Sequence, residues 1–230
     1  MTDFSLFENR IGVSFTDKEL LEVAFTHRSY VNEHKTGKRE HNERLEFLGD
    51  AVLELITTDF LYRRYPEKAE GDMTSYRAGL VNASTLATIA VGLGMNEFML
   101  LSKGEARDTG RARQYILANA FEALVGAMYI DQGYDVVRDF IDAHLLPLTD
   151  DIVNNHLWRD AKSRFQELAQ EHDGVTPTYR TMSEVGPDHD KLFTIGVFIG
   201  ENKVAEGTGR SKQEAEQSAA QAGLDARDWK

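Results

Sequence analysis

Apolar residues recur at helical spacing through most of the first 150 positions, and an alternating pattern takes over only beyond about Leu148. A first helix start is expected with Thr16 as N-cap, because Glu19 follows three residues on and Leu20 and Leu21 open an apolar run. Further helices are expected at roughly 43–64, 72–93, 113–132 and 134–146. Their breaks fall at Tyr65-Pro66, Gly92-Leu93-Gly94, Gly104 to Gly110, and Gly133. The polar stretch VNEHKTGKREH (31–41) reads as an exposed loop, and TDDIVNNHLWRD (149–160) as a short linker without a long apolar face. A helix at about 160–172 comes next. Strands are expected around 178–182, 192–199 and 203–207, and a last helix at about 211–226. The pattern predicts an all-α domain over 1–150, a linker over 151–158 and a small α+β (α-β-β-β-α) domain over 159–228.

The segment NERLEFLGDAVLEL (42–55) departs from an ordinary amphipathic helix. At about 100° per residue, Glu43, Glu46, Asp50 and Glu54 share a stripe about 80° wide. Leu45, Phe47, Leu48, Val52, Leu53, Leu55 and Ile56 take most of the remaining circumference, so this helix is expected to be largely buried. Carboxylates packed side by side away from water need a proton, a base or a cation to offset their repulsion. YILANAFEALVGAMYI (115–130) is also apolar except for Asn119 and Glu122, which share one face at i, i+3. On these residues alone two readings stay open. The acids form a solvated stripe and a hydrogen-bonded buried pair, or the two helices face one another around a divalent cation. All-oxygen donors without a thiolate suit Mg²⁺ or Mn²⁺ over Zn²⁺, and such a site commonly handles phosphate esters.

Composition narrows the alternatives. The chain has 230 residues, a net charge of -12 and no cysteine, which removes disulfides and thiolate metal sites. No apolar run approaches the length of a membrane span, and the N-terminus lacks the apolar core of a secretory signal. A soluble, cytoplasmic protein with no membrane partner is expected. The acid excess lies mainly in residues 1–155, net -9, against -3 for 156–230. None of the seven histidines stands in a metal-ligand spacing, and His27 reads as structural. Gly207-Thr208-Gly209-Arg210-Ser211-Lys212 precedes a helix but lacks phosphate-loop spacing, so no nucleotide cofactor is expected. Even so, Arg210, Ser211 and Lys212 at a helix N-terminus suit an anionic partner.

These residues carry a resemblance. NERLEFLGDAVL (42–53) resembles the signature of the ribonuclease III family, with further agreement in AFTHRSY (24–30), EGDMTSYRAGLVN (70–82), GE (104–105) and ILANAFEALVGAMYIDQGY (116–134). FQELAQ (165–170), PTY (177–179), GPDHDKLF (186–193) and GTGRSKQEAEQSAAQAGL (207–224) resemble a double-stranded RNA-binding domain. The resemblance implies an all-α endonuclease domain, homodimeric, with a module that holds double-stranded RNA. It implies Mg²⁺-dependent hydrolysis of phosphodiesters, with Mn²⁺ as a substitute, leaving 5′-phosphate and 3′-hydroxyl ends with short 3′ overhangs. Processing of ribosomal RNA precursors and other structured transcripts is the implied role.

By position, the resemblance makes Glu46, Asp50 and Glu122 metal-binding catalytic carboxylates, with Asp50 and Glu122 central to catalysis. Glu43 matches an acid near the cleavage centre that assists substrate and dimer contact, and Glu70 and Glu105 match accessory acidic positions. In the C-terminal module the implied RNA contacts are Gln166 and Glu167, His189, and Ser211 with Lys212. Two positions depart from the family pattern: Asn119 stands where an Asp is usual, and Gln213 where a Lys is often found. Asn119 still offers a carbonyl oxygen to a metal but no charge, so a raised Mg²⁺ requirement is expected. The alternative is a cleavage-deficient dimer that binds double-stranded RNA on a nuclease scaffold. A helical metal protein unrelated to RNA leaves the C-terminal module unexplained.

Overall fold

The computed structural model describes residues 2–34, 40–107, 109–154, 161–187 and 191–229, and the chain divides into two units, Met1–Trp158 and Arg159–Lys230. The first unit opens with α1 (Ser5–Ile11), α2 (Lys18–Ala24) and α3 (Arg28–Glu33). Helix α2 starts one residue later than the capping-box expectation. Asp17 is the N-cap and its carboxylate accepts from the Glu19 N–H at 2.9 Å. Thr16 is diverted because Asp131 accepts from both the Thr16 and the Asp17 N–H, each at 2.8 Å. Of the expected 31–41 loop, Val31–Glu33 belong to α3, and 35–39 lie outside the described residues.

Helix α4 (Glu43–Arg64) follows, then α5 (Glu70–Leu80) and α6 (Ala83–Gly92). The single helix expected over 72–93 is divided at Asn82. Its extended backbone and side-chain oxygen cap α6 by accepting from Thr85 N–H at 2.9 Å, while its amide donates to Gly79 O at 2.8 Å. A short helix α7 (Lys103–Arg107) occupies part of the break expected between Gly104 and Gly110. It leads to α8 (Arg111–Gln132) and α9 (Tyr134–His144). The segment expected to begin a linker is instead helical as α10 (Thr149–Asn154). Ile152 is buried, and Asp150 pairs with Arg64 of α4 at 2.7 Å. Residues 155–160 lie outside the described residues.

Helix α8 runs through the middle of this unit with Ala120, Phe121, Ala123, Leu124, Val125, Ala127 and Met128 fully buried. Helix α4 is buried on one side only: Leu53, Ile56 and Leu61 face the core, whereas Phe47 is 81% and Leu55 58% exposed. The expectation of a largely buried α4 is corrected accordingly, since α8 covers one side and no described residue covers the other. An aromatic cluster of Phe4, Phe7, Phe25 and Phe98 packs the N-terminal helices, with Phe7 and Phe25 edge to face at 4.8 Å.

The second unit is α11 (Ala161–Asp173), β1 (Thr178–Val185), β2 (Leu192–Ile199), β3 (Asn202–Gly209) and α12 (Lys212–Ala226). The strands pair antiparallel in the order β1-β2-β3, and Phe165, Ala169, Val197, Ala219, Ala220 and Leu224 form the core beneath the two helices. Glycine is required where α12 lies on β3: a Cβ on Gly207 would come within 2.1 Å of Ala219 N. No helix among the described residues is long and apolar enough to cross a membrane.

Candidate metal centre and nucleic-acid interface

Helices α4 and α8 meet backbone to backbone. A Cβ on Gly49 would stand 1.7 Å from the Glu122 carbonyl oxygen, and one on Gly126 would stand 2.2 Å from the Leu45 carbonyl oxygen. Two mid-helix glycines therefore set the approach, and it brings Glu46 and Asp50 of α4 against Asn119 and Glu122 of α8. The start of α4 is pinned independently. Buried Asn42 donates its N–H to Thr26 O at 2.9 Å and its amide to Ala24 O at 3.3 Å.

The electrostatics of this crossing are unfavourable as it stands. Burial pushes the Glu122 carboxyl up to about 7, and the negative charges of Asp50 and Glu46 add to the rise. Glu46 is also raised, first by burial and then by Glu43, with Asp50 adding to it. The Asn119 amide offsets part of this by hydrogen bonding to the Glu46 carboxylate. Among the described residues, no three His, Cys, Asp or Glu side chains converge closely enough to hold a metal ion in their present rotamers. The donor chemistry nevertheless fits a hard divalent cation: three carboxylates and one carboxamide, all oxygen, on two rigid helices. Such a cation would offset both the burial and the mutual repulsion that raise Glu122 and Glu46.

In the second unit, Ser211 is the N-cap of α12 and its hydroxyl accepts from Glu214 N–H at 3.2 Å, while Glu214 accepts in return from Arg210 N–H at 3.0 Å. Lys212 is exposed at this helix end. Gln166 and Glu167 are exposed on α11, opposite its buried Phe165 and Ala169. Lys162 ties α11 to α12 through Glu216 at 2.6 Å, so both sets lie on the helical layer of the unit. His189 lies outside the described residues.

Residues 17–148 match the family described as ribonuclease-III-like, and residues 161–226 match the double-stranded RNA binding motif. The ribonuclease 3 of Oceanobacillus iheyensis is 47% identical over 97% of both chains. That of Pelotomaculum thermopropionicum is 46% identical over 96% of this chain and 91% of the relative. The chain belongs to the ribonuclease III family. Among solved structures, the nuclease domain of ribonuclease III from Campylobacter jejuni superposes with a TM-score of 0.56 at 36% identity, covering 65% of this chain and 97% of that one. One structure of that domain is described as flexible in a region involved in dimer formation. The present chain is thus an endoribonuclease with a double-stranded RNA-binding motif.

Of the family's acidic positions, the fold brings together Glu46, Asp50 and Glu122, with Asn119 beside them. Glu43 sits at the edge of this group, where it acts on Glu46 but pairs with Arg28 at 3.3 Å and lies 3.7 Å from His41. Glu105, on α7, acts on His27. Glu70 starts α5, accepts from Thr74 Oγ1 at 3.0 Å and lines a separate pocket with Thr58, Leu61, Tyr62 and Arg77. His27 has the structural place that its sequence context suggested, whereas Asn42, Gly49 and Gly126 were not singled out by the sequence. His27 caps α3 by accepting from Ser29 N–H at 3.3 Å, and burial lowers its pKa despite the nearby carboxylates of Glu105 and Glu43. The two glycines had a legible signal, each being an isolated Gly inside a helical pattern, which marks close packing.

Proposed function

We propose that this endoribonuclease hydrolyses both strands of double-stranded RNA as a Mg²⁺-dependent homodimer. It would leave 5′-phosphate and 3′-hydroxyl ends with short 3′ overhangs. The observation that carries the reading is the facing set Glu46, Asp50 and Glu122 at a glycine crossing, where Asp50 raises the proton affinity of both glutamates and Glu46 that of Glu122. In the mechanism Glu46, Asp50, Glu122 and the Asn119 carbonyl oxygen would hold Mg²⁺, with Mn²⁺ as a substitute. When bound, the ion lowers the pKa of water and neutralises charge on the leaving oxygen. With the ion in place Glu122 would be ionised, able to accept a hydrogen bond from the attacking water, whose proton passes to solvent as its oxygen attacks phosphorus. The bond from phosphorus to the 3′ oxygen breaks, that oxygen takes a proton from solvent to become the 3′-hydroxyl, and the phosphate stays on the 5′ end of the other fragment. Glu43, Glu70 and Glu105 serve as accessory acids, and Gln166, Glu167, His189, Ser211 and Lys212 hold the A-form duplex by its shape.

Support for the homodimer comes from α4. Its exposed Phe47 lines a concavity of about 790 Å³ whose wall is apolar at Leu20, Val23, Leu48 and Ile130 and charged at Glu40, Glu43 and Arg44. An exposed aromatic ring on a wall that also carries charges of both signs suits a two-fold interface in which each copy covers the other's Phe47. Precursors of ribosomal RNA, and other transcripts with long paired segments, are the proposed cellular substrates.

The test is incubation of a long RNA duplex with and without Mg²⁺. Short duplexes bearing 5′-phosphates are expected, with none from Glu122→Ala. A second reading, the cleavage-deficient RNA-binding dimer, rests on Asn119 lacking the usual charge. It gains if the parent chain binds the duplex without cutting it at any Mg²⁺ or Mn²⁺ concentration while Asn119→Asp cuts.

A further inference from the structure

We propose that Glu184 sets the RNA affinity of the second unit by competing with phosphates for Lys212 and Lys191; the inference rests on the double-stranded RNA reading above. Sheet register brings the three residues together. Glu184 of β1 is paired with Phe193 of β2, and Phe193 in turn with Gly209 of β3. Lys212 begins α12 three residues beyond Gly209. Its ammonium stands 5.7 Å from the centre of the Phe193 ring and ends 3.1 Å from Glu184 Oε1. Lys191, immediately before β2, approaches the other oxygen of the same carboxylate at 3.8 Å. One carboxylate thus engages two ammonium groups, one of them the lysine at the phosphate-binding end of α12.

The arrangement contributes little to holding the fold together. Its members are partly exposed, and ion pairs of that kind stabilise by only about 0–1 kcal/mol. Its effect on an incoming polyanion is larger in kind. A phosphate that takes Lys212 must displace Glu184, which is left beside the phosphate as a like charge and recovers a cation from solution. That uptake cancels part of the counterion release that drives association with RNA. Glu214, the other acid at this end, is engaged with the Arg210 N–H and the Ser211 hydroxyl as a helix cap. Glu184 is therefore the acid whose charge can be removed without disturbing the helix.

The experiment measures binding of the full chain to an RNA duplex without divalent cations, from 50 to 200 mM salt. The variants are Glu184→Gln, Glu184→Thr as a strand-compatible second substitution, Lys212→Ala and the Glu184→Gln/Lys212→Ala pair. Expected for both Glu184 variants is binding about 3–10-fold tighter at the low-salt end. Their plot of log K against log salt should be steeper by about 1, the value for one recovered phosphate contact. The gain should fall by at least half in the Lys212→Ala background. Binding unchanged within twofold with parallel salt plots, or weakened binding in both variants, overturns the proposal. A parent chain that binds duplex and loses affinity in Lys212→Ala would leave the RNA reading intact in that case. A parent that binds no duplex overturns both.

Discussion

Glu122 couples the protonation of the α4–α8 crossing to its stability. Its folded pKa of about 7 lies above the ordinary 4.5, so between those values the folded chain holds more protons than the unfolded one. Stability must therefore fall as pH rises from about 4.5 through 7 and level off above. Thermal melts without divalent cations should show Glu122→Gln more stable than the parent at pH 8, with the difference closing near pH 5. Mg²⁺ should raise the parent's melting temperature at pH 8 and leave that of Glu122→Gln almost unmoved. Asn119 acts at the same point with the opposite charge balance: it relieves Glu46 by a hydrogen bond but adds no negative charge for a cation. Asn119→Asp should lower the Mg²⁺ midpoint of duplex cleavage by several-fold, which a Mg²⁺ titration of the cleavage rate reads directly.

Among the elements, the α4–α8 pair decides whether these side chains meet at all. Gly49→Ala would place a methyl group 1.7 Å from the Glu122 carbonyl oxygen. The helices must separate to admit it, at a cost of about 3 kcal/mol. A drop of about 6–12 °C in melting temperature and loss of cleavage are expected, measured by circular dichroism and a duplex assay. The span of α4 itself was legible to the residue, because Asn42 precedes an unbroken helical pattern that ends before Pro66. Strand β2 was equally legible from its alternation. What escaped was set by distant partners. Asp131 takes the N–H of Thr16 from the end of α8, Asn82 divides an otherwise continuous helical pattern, and Ile152 finds a buried place that turns the start of the expected linker into a helix. The acids of the centre were visible as a stripe on each helix. Their meeting depends on Gly49 and Gly126 lying opposite one another, which no single-helix pattern states.

For the molecule as a whole, two exposed features point outward. Phe47, read from sequence as part of a buried helix, is exposed in one copy of the chain, and a second copy is the proposed cover. Phe47→Asp should shift sedimentation from dimer to monomer and abolish the cutting of both strands, since it replaces the apolar contact with a charge that the proposed interface would bury. The second unit brings a net charge of only -3 over 156–230, so its hold on RNA should weaken steeply with salt and gain from a second module in the dimer. The proposed cleavage turns on Glu46, Asp50 and Glu122 sharing one divalent cation. Calorimetric titration of Mg²⁺ at pH 7 in buffers of different ionisation enthalpy tests it most directly. The parent should release about half a proton per ion as Glu122 gives up its share, and Glu122→Gln should release none and bind more weakly. Equal binding by the two proteins, with no proton released by either, would contradict it.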